Sequence, residues 1–188
     1  MRLFVALNLP RKERDRIHRA ARTLRDQEIP VRWVEPDNYH LTLKFLGEVG
    51  SDKVDQIARI LARVAAGSSS FSADLAGFGA FPTIRRPRVL WLGVEPTPAL
   101  RCLKQDVEWA LGDVGFERET RAFHPHLTLG RVERENGAGA FRGLDEMLAE
   151  LPYAGSVQVK SVELMRSQTS PDGAQYSVLS SYPFAVAG

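Results

Sequence analysis

His40-Leu41-Thr42-Leu43-Lys44-Phe45-Leu46-Gly47 and, further on, His126-Leu127-Thr128-Leu129-Gly130-Arg131 open on the same tetrapeptide, with the two histidines 86 positions apart. Both stretches alternate polar and apolar residues, the period of a strand that faces a core on one side only. His40 and Thr42 then share one face, as do His126 and Thr128, while the intervening leucines point into a core. Two copies this far apart place one motif in each half of the chain. A bilobal molecule with a pseudo-twofold axis would bring the two His/Thr pairs face to face.

The flanking sequence supplies the rest of such a fold. Arg2 to Leu9 is rich in strand formers, and Ile17, Ala20, Ala21 and Leu24 make Arg11 to Gln27 an amphipathic helix with a solvated, arginine-studded outer face. Val31 to Val34 reads as a short extended piece, and Tyr39 to Leu46 as the first motif strand. Ser51 is placed to cap a helix whose buried stripe is Val54, Ile57, Leu61 and Val64, ending at Gly67. Strands follow at Phe71 to Phe78 and Arg88 to Val94, around a loop carrying Arg85 and Arg86. Leu100, Leu103, Val107, Ala110 and Val114 define a third helix, and His124 to Arg131 is the second motif strand. A short helix around Phe141 to Leu151 precedes a hairpin of Ser156 to Arg166 and Gln175 to Tyr182, turned by Pro171-Asp172-Gly173. Helices and strands alternate without the Gly-rich turn of a dinucleotide fold, so the expected class is α+β with largely antiparallel sheets.

Composition narrows the function. The 188 residues carry 25 Lys and Arg against 23 Asp and Glu, a net charge of +2, too balanced for a general nucleic-acid coat but compatible with a local Arg-lined phosphate cleft. One cysteine, Cys102, rules out an internal disulfide and a multi-cysteine zinc site; its helix position is expected to be core, and a reducing cytoplasm is the expected location. No export signal or membrane span is expected.

Imidazole is the natural proton carrier near neutral pH, and a hydroxyl can donate to an anionic oxygen. Two such pairs on opposite walls of a cleft suit displacement at phosphorus, with a base for the incoming oxygen and an acid for the leaving one. This arrangement calls for no metal and no cofactor. His124-x-His126 is a weaker reading as a metal pair, because its other ligands would have to come from His18, His40 or scattered acids. Arg131 is a candidate phosphate or base contact, and Phe45 or Phe123 a candidate stacking surface. Strand alternation, however, puts Phe45 with Leu41 and Leu43, on the core face.

These motifs, their flanks His124-Pro125 and Lys44-Phe45-Leu46-Gly47, and the Arg2-Leu3-Phe4-Val5-Ala6-Leu7 start resemble the two-histidine (2H), LigT-like phosphoesterases over essentially the whole chain. Within that family the chain is similar to the bacterial and archaeal RNA 2′,3′-cyclic phosphodiesterases, also called 2′-5′ RNA ligases. The resemblance implies one bilobal domain over 1–188, with motif 40–43 in one lobe and 126–129 in the other. Two antiparallel sheets would surround a central cleft with helices outside. It further implies hydrolysis of RNA 2′,3′-cyclic phosphate to a 2′-phosphomonoester, with His40 as proton donor, His126 as proton acceptor, and Thr42 and Thr128 on the phosphate oxygens. Ligation would be the same chemistry with a 5′-hydroxyl in place of water. No obligate protein partner or membrane is expected, and the chain is expected to be a monomer. The alternative from another class is a catalytically silent RNA- or nucleotide-binding module using the same cleft. A ligase that charges a lysine with AMP lacks its Lys-x-Asp-Gly signature here.

Overall fold

The computed structural model describes residues 1–185. In chain order its elements are β1 (Arg2–Asn8), α1 (Arg11–Ala20), α2 (Arg22–Arg25), β2 (Val31–Trp33), β3 (His40–Glu48), α3 (Ser51–Ala66), β4 (Phe71–Pro82), β5 (Pro87–Val94), α4 (Pro98–Gly112), β6 (His126–Val132), α5 (Leu144–Ala149), β7 (Ala154–Val159), β8 (Ser161–Ser170) and β9 (Gly173–Pro183). A 3-10 turn, Pro36–Asn38, leads into β3.

The strands run β7-β4-β5-β6-β3-β1-β8-β9, every named pairing antiparallel, with β2 added alongside β6. The two lobes meet where β3 and β6 touch, at the single pair Leu41 and Leu127. Registers on either side of that contact repeat. Asn8, Leu7 and Ala6 of β1 face His40, Leu41 and Thr42, while Gly93, Leu92 and Trp91 of β5 face His126, Leu127 and Thr128. Sequence order and lobe do not coincide throughout: β4 and β5 precede the second motif yet lie on the β6 side, and β8 and β9 follow it yet lie on the β1 side.

Leu41, Leu43, Leu127 and Leu129 are buried in one large core with Ile57 and Leu61 of α3 and Leu100, Leu103, Val107 and Leu111 of α4. A smaller core joins Leu90 and Val31 to Leu144 and Leu148 of α5. These helices therefore cover the leucine face of the strands, and the histidine face is left for the cleft. Close approach of β2 to β6 depends on Gly130, where a Cβ would lie 2.5 Å from Val31 Cγ1.

Several local expectations change. The helix expected over Arg11 to Gln27 is interrupted at Ala21, where the Arg25 guanidinium donates to the His18 carbonyl. Gly50, and no side-chain cap, precedes α3, and Ser51 is its first helical residue. The strand expected over Ser156 to Arg166 is two strands divided at Lys160, because β7 is drawn to β4 and β8 to β1. Cys102 is exposed, on the flank of α4 away from the Leu100, Leu103, Val107 and Leu111 stripe.

Candidate active site

Both histidines are held in the same way. His40 Nδ1 donates to the Asn38 carbonyl at 2.8 Å, and His126 Nδ1 donates to the His124 carbonyl at 2.7 Å. A carbonyl can only accept, so each neutral ring carries its proton on Nδ1 and keeps Nε2 as an acceptor. His40 Nε2 lies 3.0 Å from Thr42 Oγ1, within the first motif's own strand. The 3-10 turn supplies the Asn38 carbonyl, and Arg14 steadies that turn by donating to the Asp37 carbonyl at 2.8 Å and to the Leu9 carbonyl at 2.9 Å. Arg14 is thus an exception to the solvated arginine face expected of the first helix. His124 contributes its backbone, and its own side chain is exposed.

Aromatic rings enclose each imidazole. Phe4 and Tyr176 lie 4.9 and 5.0 Å from the His40 ring, and Phe81 lies 4.9 Å and Trp91 6.5 Å from that of His126. Burial pushes His40 down to about 4, with the charges of Arg14, Arg131 and His126 acting in the same direction and the Asn38 hydrogen bond opposing them. His126 is also lowered, first by burial and then by Arg131 and His124, against its bond to the His124 carbonyl. The Arg131 guanidinium is therefore felt at both rings, one in each lobe.

A β-bulge sits at the same place in each motif. Ala6 faces Thr42 and Val5 faces Lys44, which leaves Leu43 as the extra residue; Trp91 faces Thr128 and Leu90 faces Gly130, which leaves Leu129. An extra residue shifts the alternation by one, so the fifth residue after each histidine returns to the histidine face. In β3 that residue is Phe45, in β6 Arg131. Phe45 is accordingly 72% exposed, 6.1 Å from the Phe4 ring, and not in the core as alternation predicts. Lys44 makes the opposite move and is buried. Its Nζ donates to Glu108 at 2.6 Å and to the Glu117 carbonyl at 2.7 Å, while Lys104 donates to Glu108 and to the Leu43 carbonyl of the bulge. Phe123 packs against the main core with Lys104 over its ring, away from the position expected of a stacking surface.

Asn38, Phe4, Tyr176, Phe81 and Trp91 belong to these surroundings and have no motif of their own. Alternation in β1 and β5 does place Phe4 and Trp91 on the histidine face, but only the pairings show which strand lies beside which. Among the described residues no group of three or more His, Cys, Asp and Glu side chains could hold a metal ion.

The model of the LigT-like phosphoesterases matches this sequence twice in tandem, over residues 7–91 and 92–176, one copy for each His-x-Thr motif. The chain belongs to the LigT-like phosphoesterase family. As a LigT-like phosphoesterase it is an enzyme, a phosphoric diester hydrolase. It is 36% identical over 179 residues to an RNA 2′,3′-cyclic phosphodiesterase of Methanothermobacter thermautotrophicus, covering 94% of this chain and 95% of that one. It is 37% identical to an RNA 2′,3′-cyclic phosphodiesterase of Aeropyrum pernix over 85% of this chain and 90% of the relative. Among solved structures, a Thermus thermophilus protein superposes with a TM-score of 0.81 at 26% identity, covering 98% of both chains. The Escherichia coli LigT complexed with 3′-AMP superposes with a TM-score of 0.75 at 29% identity, covering 97% of both. In this LigT-like phosphoesterase no helix among the described residues is long and apolar enough to cross a membrane.

Proposed function

We propose that this phosphoesterase hydrolyses RNA ends bearing a 2′,3′-cyclic phosphate to 2′-phosphomonoesters, by paired histidine acid–base catalysis without a metal. The observation that carries the reading is the matched geometry: two imidazoles, each locked through Nδ1 to the carbonyl two residues before it, each with a threonine two residues on. His126 Nε2 faces the reacting oxygens directly, and His40 Nε2, which accepts from Thr42 Oγ1 in the free protein, is released when that hydroxyl turns to a phosphate oxygen. In the forward reaction His126 Nε2 takes a proton from water as its oxygen bonds to phosphorus, and His40 Nε2 delivers a proton to O3′ as the P–O3′ bond breaks. Thr42 and Thr128 donate hydrogen bonds to the nonbridging oxygens, where charge accumulates. Arg131 adds fixed positive charge within reach of both rings. The order of acid and base follows the family resemblance.

His40 must be protonated to act as the acid, whereas in the free protein it is held near 4. The anionic cyclic phosphate supplies the missing charge, because an opposite charge a few ångströms away favours the imidazolium. Binding of substrate then charges its own catalyst. With a 5′-hydroxyl replacing water, the same proton transfers would join RNA ends through a 2′-5′ linkage. The deciding experiment incubates the protein with 2′,3′-cyclic-phosphate RNA in EDTA and identifies the product. A 2′-phosphate formed at an undiminished rate is expected; a 3′-phosphate, or loss of activity reversed by a divalent ion, would remove the proposal.

A further inference from the structure

Arg32 lies directly opposite Arg131 across the β2–β6 pairing, as Val31 lies opposite Val132 and Trp33 opposite Gly130. Opposed residues of an antiparallel pair have Cα atoms about 4.5–5.5 Å apart and share a face. Val31 and Trp33 crowd Gly130 on the core side, so Arg32 and Arg131 are together on the other side, that of His126 and Thr128. Both arginines are exposed, and neither forms an ion pair among the described residues. The Arg32 side chain extends toward the first lobe, since a Cβ on Gly173, in the β8–β9 turn, would sit 3.9 Å from its Cδ. Arg88 does not join them, because alternation in β5 puts Val89 and Trp91 on the histidine face and Arg88 on the other.

The pseudo-twofold relation sharpens this asymmetry. The 86-residue offset of the motifs carries Arg32 onto Arg118, and Arg131 onto Phe45. Arg118 is engaged: it donates to Asp113 at 2.8 Å and stacks 4.1 Å over the Trp109 ring. One wall of the cleft thus offers two adjacent unpaired guanidinium groups. The other offers Phe45, Phe4 and Tyr176 around His40.

We propose that Arg32 and Arg131 form a second anion subsite, which takes the phosphate on the 5′ side of the terminal nucleotide while the cyclic phosphate sits between the histidines. This deepens the proposed function and rests on it: the preferred substrate is an oligonucleotide end and not a free cyclic mononucleotide. Phosphate recognition by planar guanidinium forks is the ordinary use of such a pair. The backbone would run along the arginine wall, with the terminal base on the exposed Phe45 ring of the opposite wall.

The test compares adenosine 2′,3′-cyclic phosphate bearing a 5′-phosphate with the same compound bearing a 5′-hydroxyl, in the unmodified protein and in Arg32→Gln. We expect a higher kcat/KM for the 5′-phosphorylated compound, and a preference that falls about tenfold in Arg32→Gln, the size of a lost charge-assisted hydrogen bond. The preference should also shrink as salt rises, and Arg118→Gln should retain it. A ratio near one in the unmodified protein, or a ratio unchanged by Arg32→Gln, overturns the subsite. If neither compound is turned over, the proposed reaction fails by itself. Calorimetry with adenosine 2′,5′-bisphosphate and adenosine 2′-monophosphate then decides the subsite: a bisphosphate preference abolished by Arg32→Gln upholds it, and equal affinities overturn it.

Discussion

Each motif histidine is fixed through Nδ1 to a backbone carbonyl and turns Nε2 to its motif's own face, and the consequences are measurable residue by residue. His40→Ala and His126→Ala should each lower turnover of cyclic-phosphate RNA by about 10²-fold or more, since each removes a proton carrier that no neighbour replaces. Thr42→Val and Thr128→Val preserve shape and remove one hydrogen bond to a charged oxygen, a loss of roughly 1.5–3 kcal/mol, or about 10- to 150-fold in rate. Steady-state kinetics on folded variants checks both, and a His→Ala variant within about threefold of the unmodified protein would remove that histidine from the reaction. Proton NMR tests the electrostatics. His40 should titrate near 4 in the free protein and move upward when adenosine 2′-monophosphate is added. An unmoved His40 would mean that the bound phosphate does not reach it.

At the scale of elements, the two bulges decide which side chains enter the cleft, and they are braced differently. In β3 the brace is ionic: Lys44 and Lys104 both meet Glu108, and Lys104 also takes the Leu43 carbonyl. Burial alone would raise the Glu108 carboxyl, yet the two lysine hydrogen bonds and the Glu119 amide bring it below the usual range. Lys44→Met should cost about 2–4 kcal/mol, because it leaves a buried carboxylate with only part of its compensation. It should also raise KM for RNA through displacement of Phe45, and denaturant melts with a KM measurement separate the two effects. In β6 the brace is steric, with Val31 and Trp33 over Gly130. Gly130→Ala should destabilise by about 1–3 kcal/mol, the usual cost of overpacking, and should loosen β2, seen as faster hydrogen exchange at Val31 and Trp33.

For the whole molecule, the sheet crosses from lobe to lobe at Leu41 and Leu127 over one shared core, and charge from one lobe reaches the histidine of the other. The pH–rate profile should therefore be bell-shaped, its limbs belonging to the coupled pair and not to single residues. A flat profile between about pH 5 and 9 with chemistry rate-limiting would exclude paired imidazole catalysis. Stability has its own pH dependence, with the opposite sign from a histidine that gains a partner. His40 is lowered in the fold, so below its unfolded value near 6.5 the unfolded chain binds the proton more readily. The free protein should lose stability as pH falls from about 6.5 toward about 4, by up to about 3 kcal/mol from this residue, and no further from it below that. Urea melts at stepped pH check this, and phosphate in the buffer should blunt the loss.

The His-Leu-Thr-Leu repeat was enough by itself to mark two motif strands and the His/Thr pairs proposed for the chemistry, and the order of helical and strand patterns along the chain was enough for the α+β class. That information is local: a period of two and an identical tetrapeptide need no knowledge of neighbours. Tertiary structure decided what pairing and packing decide. The bulges at Leu43 and Leu129 are defined against β1 and β5, and the first is held by Lys104 from α4, 61 residues along the chain. Period-two reading cannot see an inserted residue, which is why it sends Phe45 to the core and Lys44 to the cleft. The break at Lys160 likewise comes from the separate demands of β4 and β1 on a stretch that looks like one strand. The placement of Arg32 beside Arg131 joins residues 99 positions apart through a three-residue strand. Only the folded sheet brings those two guanidinium groups to one wall, because no local pattern in the sequence relates them.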